Sequence, residues 1–325
     1  MITKNSSFWN ERRVLITGST GFVGCNLKPM LENTGCIVIA PTRSDYDLLD
    51  QAAVRSMMID TRPEIVLHLA ALSGGILDNK NRPAEYFYQN LFMGAAVMHE
   101  SWRAGVAKYV TLIGGCSYPA NAKNPIEETD LWAGYPQPES APYSIAKKMS
   151  VVQAEAYRRQ YGFNAIVLVP GNLYGPYDNF DLQASHVIPA QIRKYYEARI
   201  NKQDGVTAWG TGCAVRDFIY VEDACEAILI AIEKYNAPDI INISSGIPVT
   251  IRELVETIAD LSQYKGKILW NPTQPEGQLF KGYDVTRMKQ WLGYTPKTSL
   301  HDGLAKTIAW FALNYEKARL NVGSQ

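Results

Sequence analysis

Tyr143 and Lys147 are the residues whose types and spacing most directly suggest proton-transfer chemistry in this sequence. They lie four residues apart in a predicted helix, so their side chains share one helix face. A phenol ordinarily has a pKa of about 10, and a neighbouring ammonium group lowers that pKa by favouring the phenolate. The pair could therefore exchange a proton with a hydroxyl or a carbonyl group. Such neighbours are also common on ordinary helices, so the pair needs a supporting context.

A glycine-rich segment near the N-terminus supplies that context. Seven consecutive residues close an apolar run and open a helical stretch: Gly18, Ser19, Thr20, Gly21, Phe22, Val23 and Gly24. In a strand–turn–helix unit, the first glycine permits the tight turn, the second lets the backbone approach a pyrophosphate, and the third allows close helix packing. The start of the helix also favours an anion. We therefore predict a binding site for a nicotinamide dinucleotide rather than a plain turn.

The end of the second predicted strand bears on the choice between NAD and NADP. An acidic residue there would accept a hydrogen bond from the ribose 2′-hydroxyl of NAD. The sequence instead has Arg43, whose guanidinium group suits a 2′-phosphate. This favours NADP(H) as the cofactor, with NAD(H) as the alternative if Arg43 is an ordinary surface arginine.

Alternating strand-like and helical segments would position these residues. Strands are predicted at 14–17, 36–40, 65–69, 109–113 and 165–169, and helices at 22–31, 51–60, 82–104 and 142–161. Such alternation is typical of βαβ units that form a parallel sheet with helices on both faces. We predict an α/β fold with a Rossmann-type, doubly wound parallel sheet.

The pattern changes after about residue 170. Residues 171–181 are rich in Gly, Pro, Asn and Asp, which predicts a functional loop. Further helices are predicted at 186–198, 250–261 and 304–315, and short strands at 207–209, 218–221 and 240–243. We expect residues 1–170 to form the dinucleotide-binding domain. Residues 171–325 would form a smaller, interleaved substrate-binding lobe with segments that return to the Rossmann sheet.

Composition argues against several classes of partner. Lys plus Arg number 32, as do Asp plus Glu, so no general attraction to nucleic acid or to an anionic membrane is expected. The sequence lacks an apolar run of membrane-spanning length, and its N-terminus does not resemble a signal peptide. Its five cysteines are odd in number and form no Cys-x-x-Cys pair. We predict no metal site, no disulfide framework and a cytoplasmic location.

Together these motifs resemble the extended short-chain dehydrogenase/reductase family. The resemblance rests on Thr17-Gly18-x-x-Gly21-Phe22-Val23-Gly24, Leu69-Ala70-Ala71, Asn90, Tyr143-x-x-x-Lys147 and Arg216-Asp217-Phe218-Ile219. Other segments match the branch that epimerises and reduces GDP-linked 4-keto sugars, among them Cys116-Ser117-Tyr118-Pro119, Asn172-Leu173-Tyr174-Gly175-Pro176 and Ser185-His186-Val187-Ile188-Pro189. The match covers nearly the whole chain and implies an NADP-dependent nucleotide-sugar epimerase/reductase.

The resemblance assigns catalytic roles to four residues. Tyr143 and Lys147 would serve the redox step, and Cys116 and His186 would relay protons at the carbons next to the ketone. A ketone acidifies those carbons, and a thiolate and an imidazole on opposite faces can remove and return protons. Without the resemblance, Cys116 would be interpreted as a small buried residue and His186 as a helix cap or a structural histidine.

The resemblance also implies two sets of binding residues. The cofactor set comprises Gly18, Ser19, Thr20, Gly21, Phe22, Val23, Gly24, Arg43, Leu69, Ala70, Ala71, Lys147, Pro170, Asn172, Leu173 and His186. The substrate set comprises Asn172, Arg193, Lys194, Trp209, Arg216 and Lys281. Arg216, with either Arg193 or Lys194, would hold the substrate diphosphate. Without the resemblance, each cation would be interpreted as a solvated surface charge.

One position departs from the family pattern. Gly114 stands where the family has a Ser or Thr, whose hydroxyl binds the C4 oxygen of the sugar and acts with the Tyr and the Lys. Loss of such a donor can slow a reaction by about 10²–10³. Ser117 lies out of register to replace it. The departure leaves open whether both steps occur, and the vacated space could admit a bulkier sugar.

Three functions therefore remain open from the sequence. The first is the epimerase/reductase, and the second is a single-step 4-reductase, 4-dehydrogenase or epimerase on another nucleotide-sugar, such as a GDP-heptose. The third is a dinucleotide-sensing protein without catalysis, against which the joint presence of the four catalytic candidates argues. The resemblance further implies a homodimer formed through the helix over 82–104 and the helix bearing Tyr143, although their apolar residues could equally belong to the core.

Overall fold

The elements of secondary structure alternate along the first half of the chain and become less regular in the second. A computed structural model describes residues 7–274, 277–318 and 320. Its strands are β1 (Arg13–Thr17), β2 (Ile37–Ile39), β3 (Ile65–His68), β4 (Lys108–Leu112), β5 (Ala165–Pro170), β6 (Asn172–Tyr174), β7 (Gly205–Trp209), β8 (Val215–Tyr220), β9 (Ile241–Ile243), β10 (Pro248–Thr250), β11 (Lys267–Asn271) and β12 (Phe280–Lys281). Its helices are α1 (Phe22–Glu32), α2 (Gln51–Thr61), α3 (Ile76–Asn81), α4 (Pro83–Arg103), α5 (Ala141–Tyr161), α6 (Val187–Ile200), α7 (Val221–Lys234), α8 (Ile251–Leu261), α9 (Thr286–Trp291) and α10 (Leu300–Leu313).

A six-stranded sheet with the order β2-β1-β3-β4-β5-β9 forms the centre of the molecule. Every neighbouring pair in it is parallel. The chain moves outward from β1 in both directions, to β2 on one side and to β3 on the other. Ligands of such sheets bind beyond the carboxyl ends of the strands at this point of reversal. The predicted doubly wound α/β fold is confirmed.

Helices cover both faces of the sheet because each face is apolar. On one face, α1 and α7 bury Leu27, Leu31 and Ile228 against the strands. On the other face, α2, α4 and α5 bury a second group that includes Met57 and Val97. Full burial of one such side chain stabilises a fold by about 1.5–3 kcal/mol. The two layers hold the strand ends, and hence the residues that follow them, in place.

The second half of the chain builds a smaller sheet and also returns to the central one. Strands β10, β8 and β12 form one sheet, with β6 also paired to β8, and β11 pairs with β7. Helices α6, α8 and α10 pack against these strands around Phe180, Tyr195 and Phe311. Strand β9 leaves this lobe and pairs in parallel with β5, matching Leu168 to Ile241.

One prediction for this half is wrong, and a buried helix was not predicted. The expected loop over 171–181 contains β6, which pairs with β8 from Asn172 to Phe218. The expected strand over 218–221 ends at Tyr220, and Val221 begins α7, which the sequence analysis did not predict. This helix follows its strand without an intervening turn, and it is buried on most sides. The boundary therefore lacks the turn residues that usually mark the start of a helix.

Three further observations concern the described ranges as a whole. No helix within them is long and apolar enough to cross a membrane. The five cysteines all lie within these ranges and form no disulfide. No group of three or more His, Cys, Asp or Glu side chains there is arranged to hold a metal ion.

Candidate active site

The glycine-rich turn follows β1 at the point where the strand order reverses. Gly18 has a φ of +71°, in the left-handed region that favours glycine. A Cβ atom on Gly18 would lie 2.6 Å from the backbone nitrogen of Ala70, so the segment after β3 rests against this turn. The backbone nitrogen of Leu69 also donates a hydrogen bond to the carbonyl of Thr17 at 3.1 Å. The residues predicted to bind the cofactor after β1 and β3 are therefore neighbours.

Helix α1 begins directly after Gly21 and points its N-terminus at this turn. A Cβ atom on Gly24 would lie 2.6 Å from Cα of Ser19 and would also touch the carbonyl oxygen of Gly18. Gly24 thus allows α1 to pack closely on the turn itself. Gly21 caps the helix without a side-chain hydrogen bond, and the first turn contains no acidic residue. The exposed N–H groups there fit the pyrophosphate of a dinucleotide.

Arg43 lies four residues beyond the end of β2, the strand that pairs in parallel with β1. Its side chain is 78% exposed and makes one long contact, 3.8 Å, with Asp47. An exposed ion pair of this kind contributes little to stability, so the guanidinium group can be drawn to another anion at small cost. The position fits the expected contact with a 2′-phosphate.

Tyr143 and Lys147 lie in the first two turns of α5, with Lys147 buried. Burial lowers the pKa of Lys147 to about 8, although the nearby Cys116 acts in the opposite direction. Burial raises the pKa of Tyr143, and Cys116 and Tyr86 raise it further. The expected lowering of the tyrosine pKa is therefore wrong for this arrangement, because desolvation of the phenolate dominates. Tyr143 holds its proton and is suited to donate it to a carbonyl oxygen.

A short turn after β4 brings Cys116 to the same place. A Cβ atom on Gly114 would lie 3.1 Å from the sulfur of Cys116 and 3.5 Å from Cε1 of Tyr143. Position 114 therefore faces the tyrosine, as the family pattern implies. Ser117 does not replace the missing hydroxyl, because it is fully buried and donates a hydrogen bond to the carbonyl of Ser144 at 3.4 Å.

A cavity of about 310 Å³ opens between α6 and the smaller sheet. Among the residues that line it are His186, Asn172 and Leu173. His186 occupies the N-cap position of α6, but its side chain makes no capping hydrogen bond and is exposed to the cavity. Enclosure by the surrounding protein lowers the pKa of His186, so its imidazole is neutral and can accept a proton.

Three of the four predicted substrate cations lie at or beside this cavity. Lys194 and Arg216 line it, together with Trp209. Lys281 pairs in register with Arg216 across β12 and β8. Burial lowers the pKa of Lys281, Cys116 raises it and Arg216 lowers it further, which brings this lysine into the same electrostatic environment as the thiol.

Arg193 is the exception, because its guanidinium group is engaged outside the cavity. It donates to Glu197 at 2.7 Å and to the carbonyls of Phe180 and Leu320 at 3.1 and 2.9 Å. Of the two adjacent cations on α6, Lys194 is the one that faces the cavity. The expected diphosphate contact from Arg193 is therefore replaced by a structural role that ties α6 to the loop before it and to residue 320.

The sequence analysis also missed two residues beneath the site. Tyr283 is buried between Gly115 and Gly171: a Cβ atom on Gly115 would touch its phenol oxygen, and one on Gly171 would lie 3.1 Å from Cε2. His68 lies at the end of β3, with Nδ1 2.8 Å from the hydroxyl oxygen of Thr17. Burial, with the charge of Lys147, lowers the pKa of His68 to about 3, so it stays neutral. Neither residue belongs to a spacing pattern that could have indicated it.

Comparison with known proteins agrees with this arrangement. The model of the NAD dependent epimerase/dehydratase family matches residues 14–244. A GDP-L-fucose synthase of Sinorhizobium fredii (strain NBRC 101917 / NGR234) is 39% identical over 93% of this chain and 96% of that protein. The crystal structure of a GDP-6-OMe-4-keto-L-xylo-heptose reductase from C. jejuni superposes with a TM-score of 0.88 at 27% identity, covering 94% of this chain and 98% of that one.

A GDP-L-fucose synthetase from Naegleria fowleri, bound to NADP, superposes equally well. Its TM-score is 0.88 at 25% identity, over 95% of this chain and 97% of that one. The present chain belongs to the NAD dependent epimerase/dehydratase family. It is an NAD(P)-dependent enzyme of the oxidoreductase and epimerase class, which confirms the predicted family and cofactor class.

Proposed function

We propose that this protein is an NADP-dependent epimerase/reductase that acts on a GDP-linked 4-keto sugar. The observation that carries the proposal is the meeting of Tyr143 with Cys116 at Gly114. His186 and the cations Lys194 and Arg216 line the cavity beside α6. The similarity to a GDP-L-fucose synthase and to a reductase of a GDP-linked heptose supports the choice of substrate class. The NADP-bound relative and the exposed Arg43 support NADP.

In the reduction, Tyr143 gives its proton to the C4 oxygen. NADPH, held at the glycine-rich turn after β1, would supply the hydride. Lys147 is mostly protonated at neutral pH, since its pKa is about 8, and its charge stabilises the phenolate left on Tyr143.

In the epimerisation, Cys116 and His186 act on the carbons beside the ketone. One of them removes a proton and the other returns a proton to the opposite face, which inverts the carbon without a net change in oxidation state. The neutral imidazole of His186 can accept a proton. Lys194 and Arg216 would hold the diphosphate of the substrate within the cavity.

The finer expectations about assembly and location belong to the same proposal. We propose a homodimer that acts in the cytoplasm. Helices α4 and α5 leave Phe87, Tyr88 and Val152 exposed to 39%, 60% and 46%, which provides apolar surface for pairing. A mass measured by light scattering should be about twice that of one chain, and a monomeric mass would contradict the dimer.

The decisive experiment supplies GDP-4-keto-6-deoxy-mannose and NADPH in deuterated water. We expect oxidation of NADPH together with deuterium at C3 and C5 of the product. Absence of both would reject the proposal. The Tyr143→Phe variant should retain deuterium uptake and lose NADPH oxidation, whereas Tyr135→Phe, a change to an exposed tyrosine, should retain both.

Gly114 supports a second candidate, a single-step enzyme on a bulkier GDP-sugar. The missing hydroxyl weakens the reduction step, and the space beside Tyr143 is larger than a Ser or Thr would leave. Deuterium uptake without NADPH oxidation would identify an epimerase. Oxidation with a GDP-linked 4-keto-heptose but without deuterium uptake would identify a reductase.

A further inference from the structure

Helix α6 presents a mixed apolar and polar face to the cavity. Val187, Gln191 and Lys194 lie three to four residues apart on this face and all line the cavity. The adjacent face, with Ile192 and Tyr195, packs into the core of the smaller lobe. Gln191 thus occupies a position on a rigid helix, where a side chain can be held in a defined orientation.

The amide of Gln191 is enclosed but lacks a protein partner for its oxygen. Only 6% of the residue is exposed. Its Oε1 atom is out of contact with solvent and has no hydrogen-bond partner within the described part of the chain. A buried acceptor without a donor is unfavourable, and such groups call for an explanation in a native structure. A half-turn of the amide exchanges its oxygen and nitrogen, and the contact proposed below uses the orientation in which the oxygen meets the ligand.

The surroundings of Gln191 match one part of a nucleotide better than the others. The cations Arg216 and Lys194 suit the diphosphate. Trp209, Leu182 and Ile251 supply apolar or aromatic surface for a flat ring. Gln191 lies five residues along the helix from His186, about 7.5 Å along its axis, and therefore away from the end where the sugar would react. A neutral amide at this place suits the edge of a base rather than a phosphate.

We propose that Gln191 is a specificity-determining residue that recognises the base of the nucleotide. Its oxygen accepts a hydrogen bond from the 2-amino group of guanine. Hypoxanthine and adenine have no amino group at C2, and uracil has no amino group at all. The inference rests on the proposed function, because it takes the substrate to be GDP-linked. It adds to that function the residue by which this chain selects guanine.

The test compares binding of GDP and IDP, which differ only by the 2-amino group. Titration calorimetry on the intact chain would measure both, with ADP and UDP added to the panel. We expect the unmodified protein to bind GDP about tenfold more tightly than IDP, since a site built around a hydrogen bond discriminates against an analogue that lacks the donor. In Gln191→Leu the affinity for GDP should fall about tenfold, whereas the affinity for IDP should remain unchanged. The ratio of the GDP affinity to the IDP affinity should therefore approach one.

Two further variants keep the result interpretable. Gln290→Leu makes the same change at an exposed position of α9 and should leave the ratio at about ten. Gln191→Glu retains an acceptor, so its preference for GDP over IDP should persist even if both bind more weakly. A collapse of the ratio in Gln191→Glu would overturn the inference, and this variant serves if Gln191→Leu does not fold.

The outcomes separate the inference from the function on which it rests. If the unmodified protein prefers GDP and Gln191→Leu keeps the tenfold ratio, or loses GDP and IDP equally, Gln191 does not contact the amino group. In that case the proposed GDP substrate still stands. If the unmodified protein binds UDP or ADP as tightly as GDP, both the choice of GDP and the role of Gln191 are rejected.

Discussion

Gly114 faces Tyr143 so closely that a Cβ atom on the glycine would lie 3.7 Å from the phenol oxygen. That separation is ordinary van der Waals contact, so the backbone could carry a side chain toward the tyrosine. The tighter neighbour is the sulfur of Cys116, at 3.1 Å from the same point. Position 114 therefore lacks a hydroxyl group although the backbone would direct a side chain toward Tyr143. If a side chain were introduced there, the thiol of Cys116 is the group that would have to move.

Gly114→Ser should accelerate the reduction. A serine hydroxyl at this position could donate to the C4 oxygen beside Tyr143, and donors of this kind are worth about 10²–10³ in rate. Because the thiol must move by a few tenths of an ångström, we expect a rise in kcat of about tenfold to a hundredfold rather than the full value. Single-turnover oxidation of NADPH with a GDP-linked 4-keto sugar would measure it.

Gly114→Ala is the matched control for that experiment, since it fills the same space without adding a donor. Its rate should equal or fall below that of the unmodified protein. Equal rates in the serine and alanine variants would show that the hydroxyl plays no part in this chain.

The rate of reduction should fall as the pH rises through about 8. Lys147 has a lowered pKa of about 8, so it is charged below that pH and neutral above it. Loss of the charge removes the stabilisation of the Tyr143 phenolate. A profile of kcat from pH 6 to 10 should show this alkaline decline. Lys147→Arg keeps its charge throughout the range, and a decline at the same pH in that variant would assign the titration to another group.

Cys116→Ser should abolish epimerisation while sparing the binding of NADPH. A serine hydroxyl has nearly the same shape as the thiol but is a far weaker acid, so deuterium uptake at C3 and C5 should fall by about 10²–10⁴. Mass spectrometry of the recovered sugar would measure the uptake. The control variant is Cys36→Ser, which changes a half-buried cysteine near β2. This variant should take up deuterium into the sugar at the normal rate. Normal uptake in Cys116→Ser would remove this residue from the proton relay.

Arg43→Ala should raise the KM for NADPH and leave that for NADH unchanged. The guanidinium group is 78% exposed and only loosely paired with Asp47, so its removal should not disturb the fold. A charge-assisted contact with the 2′-phosphate contributes about 1.5–3 kcal/mol, which corresponds to a rise in KM of roughly tenfold or more. NADH lacks that phosphate and serves as the internal control. An equal effect on both cofactors would indicate a different role.

The parts of the fold that the sequence predicted are those in which local pattern and tertiary position agree. Buried strands between turn residues, such as β1 and β4, fall within one residue of their predicted ends. Helix α7 was missed because it follows β8 directly, so no turn residues mark the point where the strand ends and the helix begins. Helix α10 begins at Leu300, earlier than predicted, because Ser299 caps it by accepting from the backbone of Asp302.

The candidate active site, like the fold, contains residues that the sequence could indicate and residues that it could not. The glycine turn and the Tyr143–Lys147 pair have defined spacings, and sequence alone could indicate them. The choice between Arg193 and Lys194 depends on the rotation of α6, which adjacent residues do not reveal. Gln191 and Tyr283 gain their meaning only from what surrounds them, a cavity in one case and two glycines in the other. The raised pKa of Tyr143 likewise depends on burial that no motif encodes.

Strand β9 and helix α7 have a consequence for how the chain is made. While the ribosome has delivered only the residues up to Pro170, strand β5 has an open edge, and Leu27 and Leu31 of α1 lack the cover of α7. An open edge and uncovered leucines invite pairing with other nascent chains. The dinucleotide half can therefore mature only after residue 243 has emerged. The two halves are not interchangeable modules, and chimeras joined at residue 170 would have to bring matching copies of β9 and α7 with them.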